Sequence, residues 1–503
     1  MANIIIEQQP LFKTLPVGQD IIFTVSEGGN VVATETMVKF IAKVYVSEDK
    51  SQLSNASSLV ATLKTTPNNA GVGMFDLRQI LESYVSPDHL GTQKDVLGMT
   101  TSTSTYKTVQ FSADKQFPVH LIDKCALGVN TTKWVSIKFR VEYLGANNIY
   151  PNAVSVAPGF QWSTDYLMFN GYVKNEDTLY ADAGDFGLNL YREPEIIQYD
   201  NTMKFLTNAP VTQYARLTDY GTVAFFNMLN SGTYSFTTGP LGITNTMFYV
   251  KMIMYDSSDS VLATELLTNY ADVGPTLGGG AGAYSSTFSY SHLVFMGAYP
   301  ANFDNWITSW DTHKANVSYY TLQAFDDNAS PNPITKLYTV NIICDSSFGY
   351  EGVRLAWLNQ WGAWDYYTFN QKSVRSINTN KTTYTQLGGT WNDVKYSPNG
   401  FRGGKKNFRV NSKERIKLNT DYLSDQDSTW FEELINSPEV YIVNGFSTDF
   451  NEASATKSGI INKYVEPVLL TTSNWTKKTK ANDKLIQYTI EVERNKNQRT
   501  QAI

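Results

Sequence analysis

The chain has 503 residues and a net charge of −6, with 17% charged and 13% aromatic side chains. A balance this mild does not mark the whole molecule as a nucleic-acid or membrane-surface binder. Two cysteines, Cys125 and Cys344, far apart and outside any C-x-x-C pattern, exclude a disulfide scaffold and read as two unrelated buried thiols.

At about 150 residues per domain the length points to two to four domains. The charged fraction falls below the roughly 25% of average globular chains. Asn, Ser, Thr and Tyr fill the gap, so the surface relies on hydroxyl and amide hydrogen bonds. Depleted charge with enriched aromatics is the composition of interface cores, and it inclines the reading toward a protein covered by neighbours. No run of about 18 apolar residues occurs, so no spanning helix is expected. Residues 1–16 show no basic segment followed by a long apolar core, hence no secretory signal. The expectation is a protein made and kept in the cytoplasm, or one that leaves it only within a particle.

Residues 1–150 read as a β-sandwich with one short helix. Ile21–Val25, Met37–Val46 and Leu59–Leu63 are strand-like, with Gly28-Gly29-Asn30 as a turn. In FDLRQILESYV, Leu77, Ile80, Leu81 and Tyr84 have the spacing of one buried helical stripe, with Asp76 as the N-cap and Ser86-Pro87-Asp88 as the stop. Lys133–Tyr143 alternates as a closing strand.

Asn147–Gly159, rich in Asn, Pro and Ala, reads as a linker to a second sandwich over residues 151–345. Phe169-Asn170-Gly171 is a hairpin signal. Thr246–Glu265 echoes Thr36–Leu63, as if two related sandwiches stood in tandem. Gly274–Ser286 is the most flexible loop in the reading.

Residues 346–503 form a third, β-rich domain. Its centre is Arg354–Phe369, RLAWLNQWGAWDYYTF, which holds three of the ten tryptophans. Period-2 patterning around Trp357 and again around Trp364 and Tyr366, with Gly362 free to take φ > 0 between them, predicts a β-hairpin. Trp357, Trp361, Trp364 and Tyr366 are either structural or interface anchors or the lining of a ligand groove. A second helix is expected from a capping box of Thr429 and Glu432, with Trp430, Phe431, Leu434 and Ile435 buried. Leu485–Glu493 is a half-buried strand, and Asn495–Ile503 a polar tail.

Catalytic motifs are absent. The four histidines (His89, His120, His292, His313) have no metal-ligand spacing. There is no G-x-S-x-G elbow, and Asp185-Phe186-Gly187 lacks the other kinase signatures. Gly400–Lys406 (GFRGGKK) is one residue short of a phosphate loop and has lysine where the Mg²⁺-binding hydroxyl belongs. A carboxylate pair among Asp304, Asp311, Asp326 and Asp327, beside Trp306 and Trp310, is where a glycosidase would sit. The expectation is no enzymatic activity, no cofactor and no metal. Arg402, Lys405, Lys406, Arg409, Lys413 and Arg415, with Lys395 and Lys417, form a basic cluster. It reads as a solvated face or as a contact for an acidic partner or passing DNA.

Four stretches carry a resemblance: GMFDLRQILESYV (Gly73–Val85), MFNG (Met168–Gly171), WLNQWGAWDYYTF (Trp357–Phe369) and INSPEVYIV through IQYTIEVE (Ile435–Glu493). In this order and spacing the chain resembles a family of virion structural proteins of tailed phages of Bacteroidetes-type hosts, including the crAss-like group. The chain departs from that pattern in carrying tryptophan at 361 and 364, where smaller residues are common. The resemblance implies tandem β-sandwiches and no catalytic residues. It implies a ring-forming tail hub, baseplate or neck component, located in the virion after assembly in the host cytoplasm. The implied partners are copies of itself, other tail proteins and DNA passing through a lumen, with no membrane. The competing readings are a carbohydrate-binding adhesin at the tail tip and, last, a tail glycosidase, whose usual repetitive β-helix is not seen here.

Overall fold

The computed structural model describes residues 3–10, 14–48, 50–91, 117–122, 125–128, 130–144, 154–156, 159–172, 204–227, 249–269, 292–304, 307–325, 331, 333–343, 350–390, 393–398, 400–443, 465–476 and 486–495. With 51% of the described residues in strands against 12% in helices, the protein is mainly β, built of several sheets with a few short helices. Its residues form two units. One holds the described residues up to Ile343 together with Leu358–Asp365; the other holds those of Cys344–Trp357, Tyr366–Asn444 and Asn462–Ile503.

The first unit opens with a sandwich. Ile4–Gln8, Ile22–Glu27 and Gly73–Asp76 make a three-stranded sheet. It faces a larger sheet of Thr14–Pro16, Tyr166–Phe169, Thr132–Leu144, Thr36–Ser47 and Leu59–Thr65. Alternation places Phe40, Ala42 and Val44, and opposite them Ile137, Phe139 and Val141, on one inner face. Phe139 meets Phe23 and Phe75 at ring distances of 5.7 and 5.8 Å, the centre of this core.

A second pair of sheets follows. Thr212–Arg216, Tyr338–Ile343, Tyr319–Phe325, Tyr249–Tyr255 and Val261–Thr268 form five strands; Thr222–Asn227, His292–Gly297 and Cys125–Gly128 form three. The echo between Thr36–Leu63 and Thr246–Glu265 corresponds to the same local device. Each is an antiparallel strand pair with a register shift, at Val44/Tyr45 and at Met254/Tyr255.

A cut at residue 150 does not separate these sheets. Cys125–Gly128 pairs with His292–Gly297, while Val154–Val156, Gln161–Trp162 and Tyr166–Phe169 all pair with Thr132–Leu144. Linker-like composition around 147–159 is compatible with strand pairing, because long-range hydrogen bonds and not local propensity set sheet membership. Among the described residues Phe169-Asn170-Gly171 also turns no hairpin. Tyr166–Phe169 pairs in parallel with Thr14–Pro16, and the Tyr172 amide donates to the Gln360 carbonyl.

The expected first helix is shorter than its stripe. Gly73–Asp76 is strand, Arg78–Leu81 is α-helix and Glu82–Tyr84 is 3₁₀. Phe75 joins the sandwich core, and Tyr84 is exposed. Asp76 still accepts from the Arg78 amide at 3.0 Å.

The second unit is one seven-stranded sheet in the order Trp364–Phe369, Val353–Leu358, Val440–Val443, Val465–Leu470, Thr489–Arg494, Gly404–Asn419 and Val374–Gln386. The helix Asp425–Asn436 packs on it. That helix starts earlier than the sequence suggested. Ser424, not Thr429, is the N-cap, with Asp427 completing the capping box. Aspartate serves where glutamate is commonest because one methylene less still reaches the cap amide, at 2.7 Å.

Gly274–Ser286, Asp185-Phe186-Gly187, Cys344, the Cys125 side chain and residues 496–503 lie outside the described residues.

Candidate functional site

The tryptophan hairpin forms as its patterning predicts, but both faces of its strands are covered. In the second unit the Arg354 guanidinium is buried. It donates to Thr368 Oγ1 at 2.8 Å and lies 5.3 Å from the Tyr366 ring. Trp357 packs at a tilt against Trp430 and Phe431 of the helix, with ring centroids 4.9 and 6.1 Å away.

The turn of the hairpin belongs to the first unit. Asn359 Oδ1 accepts the amides of Trp361 and Ala363, which closes the turn; its Nδ2 donates to Leu206 O and Asp365 Oδ1. Gly362 has φ +74°, and a Cβ there would stand 2.5 Å from Asn170 O. Trp361 donates to Asn208 Oδ1, and Trp364 to the Asp88 carbonyl. Trp357, Trp361 and Trp364 are 0, 6 and 3% exposed and Tyr366 is buried. These four side chains are anchors inside the protein and offer no open ring face on which a sugar could stack.

The most exposed feature is one the sequence reading did not assemble. Val374–Gln386 and Gly404–Asn419 pair along their whole length. Only Arg415–Asn419 also pairs with Thr489–Arg494. Beyond Lys413 the two strands run on as a ribbon of about ten residues a side, roughly 33 Å at strand rise. Exposed Ile377, Leu387 and Phe401 reach 61, 68 and 75%; Tyr384, Val394, Tyr396 and Phe408 are also exposed. A two-stranded ribbon is marginal in water without a third strand or a packing surface. The signal was present in a Thr-rich run ahead of Gly388-Gly389 and a Lys- and Arg-rich run after Gly403-Gly404, with the glycine pairs marking the ends of the strands.

The basic cluster lies on this ribbon and at its root, and the structure divides it. At the root, Lys413 and Arg415 are engaged by Glu493 at 2.7 and 3.0 Å, and Arg415 also by Glu491. Arg494 bridges Glu414 and Glu466 alongside. On the ribbon, Lys406 donates to Gln386, Arg409 to Asn411, and Arg402 lies by the Phe401 ring. Among the described residues no carboxylate pairs with Arg402, Lys405, Lys406 or Arg409. Ile377–Ser412 contains six cations and one carboxylate, leaving −11 for the rest of a chain whose total is −6.

Of the suspected carboxylates, Asp304 accepts from Trp310 Nε1 and Lys314, and Asp311 also holds Lys314. Asp326, Asp327 and Trp306 lie outside the described residues. Among the described residues no three His, Cys, Asp or Glu side chains gather as a metal site, and no helix is long and apolar enough to cross a membrane.

Fold and site together define a mainly β protein of packed sheets that carries a solvated, cationic, aromatic-bearing ribbon. No family model matches the chain, and no curated protein matches it. Among solved structures it aligns weakly with a Salmonella α-2-macroglobulin reacted with methylamine, at 7% identity and a TM-score of 0.18, over 97% of this chain and 23% of that one. An E. coli α-2-macroglobulin in its native conformation aligns at 8% identity and a TM-score of 0.19, over 83% and 21%. The chain thus spans about a fifth to a quarter of these proteins.

Proposed function

We propose that this protein is a non-enzymatic structural subunit of a tailed-phage virion, a tail hub, baseplate or neck component that assembles with copies of itself into a ring. The observation that carries the assembly role is the ribbon. Its exposed apolar side chains have no core of their own, and burial against a partner would remove them from water at about 25 cal/mol per Å². The partner is a second copy of this chain, because a ribbon of net +5 meets a remainder of net −11. A ribbon of one subunit seated on the body of the next is a head-to-tail contact, which closes into a ring when the rotation permits.

The virion setting rests on the four-motif resemblance; other tail proteins and DNA in a lumen are the remaining partners it implies. Mass spectrometry of purified particles, with analytical ultracentrifugation of the full chain, tests the reading. The chain is expected in the particle and as a closed oligomer. A monomer at high concentration that is missing from particles overturns it.

A further inference from the structure

A second cationic surface lies on the outer face of the first sandwich, apart from the basic cluster of the ribbon. Lys43 of Thr36–Ser47 stands directly opposite Lys138 of Thr132–Leu144, and Arg140 follows two residues on. Like charges directly opposite in a sheet are destabilising. Glu142, further along the same strand and opposite Lys39, gives both its oxygens to Lys64 at 2.8 and 2.9 Å. Among the described residues no carboxylate pairs with Lys43, Lys138 or Arg140. Arg140 Nε is shut off from solvent with no hydrogen-bond partner among them.

Aromatic rings frame these cations. Trp162 pairs in register with Lys138 and lies 5.0 Å from the Tyr45 ring. Lys138 Nζ sits 3.9 Å from the Phe160 ring centroid and 5.0 Å from that of Trp162; the Arg140 guanidinium is 5.6 Å from Phe160. Phe160 nonetheless remains 47% exposed. Burial, then Arg140 and Lys43, pull the Lys138 ammonium below its ordinary pKa.

We propose that this face binds single-stranded nucleic acid, with phosphates on Lys43, Lys138 and Arg140 and a base against Phe160. Two residues along a strand cover about 7 Å, so the triad suits one or two adjacent phosphates. Cations beside exposed aromatic rings are the general means of holding a single strand without reading its sequence. An acidic protein surface would use the cations but not the part of the Phe160 ring that stays exposed beside them, and so fits less well.

The test is fluorescence anisotropy of the full chain with a labelled oligothymidylate of about 20 nucleotides, longer than the usual single-site footprint, over a salt series. Lys43→Gln/Arg140→Gln is expected to weaken binding about tenfold or more and to flatten the log–log salt slope by about 1.4, two phosphate contacts' worth. Phe160→Ala is expected to weaken binding about tenfold with the slope unchanged. Lys405→Gln/Lys406→Gln, on the ribbon, is expected to bind as wild type. Because the double variant relieves repulsion, its melting temperature is expected to hold or rise. Absence of binding by the wild type overturns the proposal, as does loss through the ribbon variant alone. Normal binding by Phe160→Ala with displacement by polyglutamate also overturns it, and assigns the face to an acidic protein.

Discussion

The indole N–H of Trp364 donates to the backbone carbonyl of Asp88 at 2.9 Å, across 276 positions of sequence. The Asp88 carboxylate in turn accepts the amides of Asn130 and Thr131, and the Trp364 ring meets His120 edge-on at 4.9 Å. One late tryptophan thereby fixes segments that the chain laid down far earlier. Trp364→Phe removes the donor and replaces the buried indole with a smaller ring. It is expected to destabilise the first unit by at least about 1–3 kcal/mol, the cost of a buried acceptor losing its donor, with the packing defect in addition, measured by urea unfolding followed at the remaining tryptophans.

Gly362 occupies the left-handed region at φ +74°, and an added Cβ would meet Asn170 O at 2.5 Å and Thr131 Cγ2 at 2.7 Å. Gly362→Ala is expected to cost more than about 1 kcal/mol, since both conformation and space oppose it. Thermal unfolding reads the loss. Gly400→Ala, where nothing stands within 4 Å and φ is not in that region, is the neutral control.

Glu493 is held below the usual carboxylate range first by its hydrogen bond from Lys413, then by Arg415. Its folded-state pKa is therefore lower than its unfolded one. The associated stability is fully present above the unfolded value of 4.5 and is lost as pH falls through the depressed value. Glu493→Gln is expected to flatten the acid limb of a melting-temperature profile below pH 4.5, taking the carboxylate from Lys413 and leaving Arg415 with Glu491 alone. An unchanged acid limb refutes the assignment.

Ile377→Asp with Phe408→Asp puts charge on two exposed ribbon positions that touch no core. Stability is expected to change by less than about 0.5 kcal/mol, as for ordinary surface sites. The sedimentation coefficient is expected to drop to that of a monomer. An oligomer that survives both substitutions removes the ribbon from the contact.

Ser424→Ala removes the cap of the helix Asp425–Asn436, whose Trp430 and Phe431 pack on Trp357. The expected loss is about 1 kcal/mol, read by urea unfolding. Thr429→Ala is expected to have no capping effect, because residue 429 lies within the helix and not at its start.

What the residues alone determined was local and periodic. Alternation identified Thr36–Ser47, Thr132–Leu144 and the tryptophan hairpin as strands, and the glycine at 362 marked the turn, because side-chain period and φ > 0 are properties of a few neighbouring residues. Tertiary structure alone decided which strands share a sheet. Cys125–Gly128 joins His292–Gly297 through hydrogen bonds between segments more than 160 residues apart, which no local pattern encodes. It also decided that the basic cluster divides between a neutralised root and a solvated ribbon, since Glu493 reaches Lys413 and Arg415 only through strand register. The outer-face triad was equally hidden. Lys43 and Lys138 are 95 residues apart in the chain and become neighbours only when their strands pair.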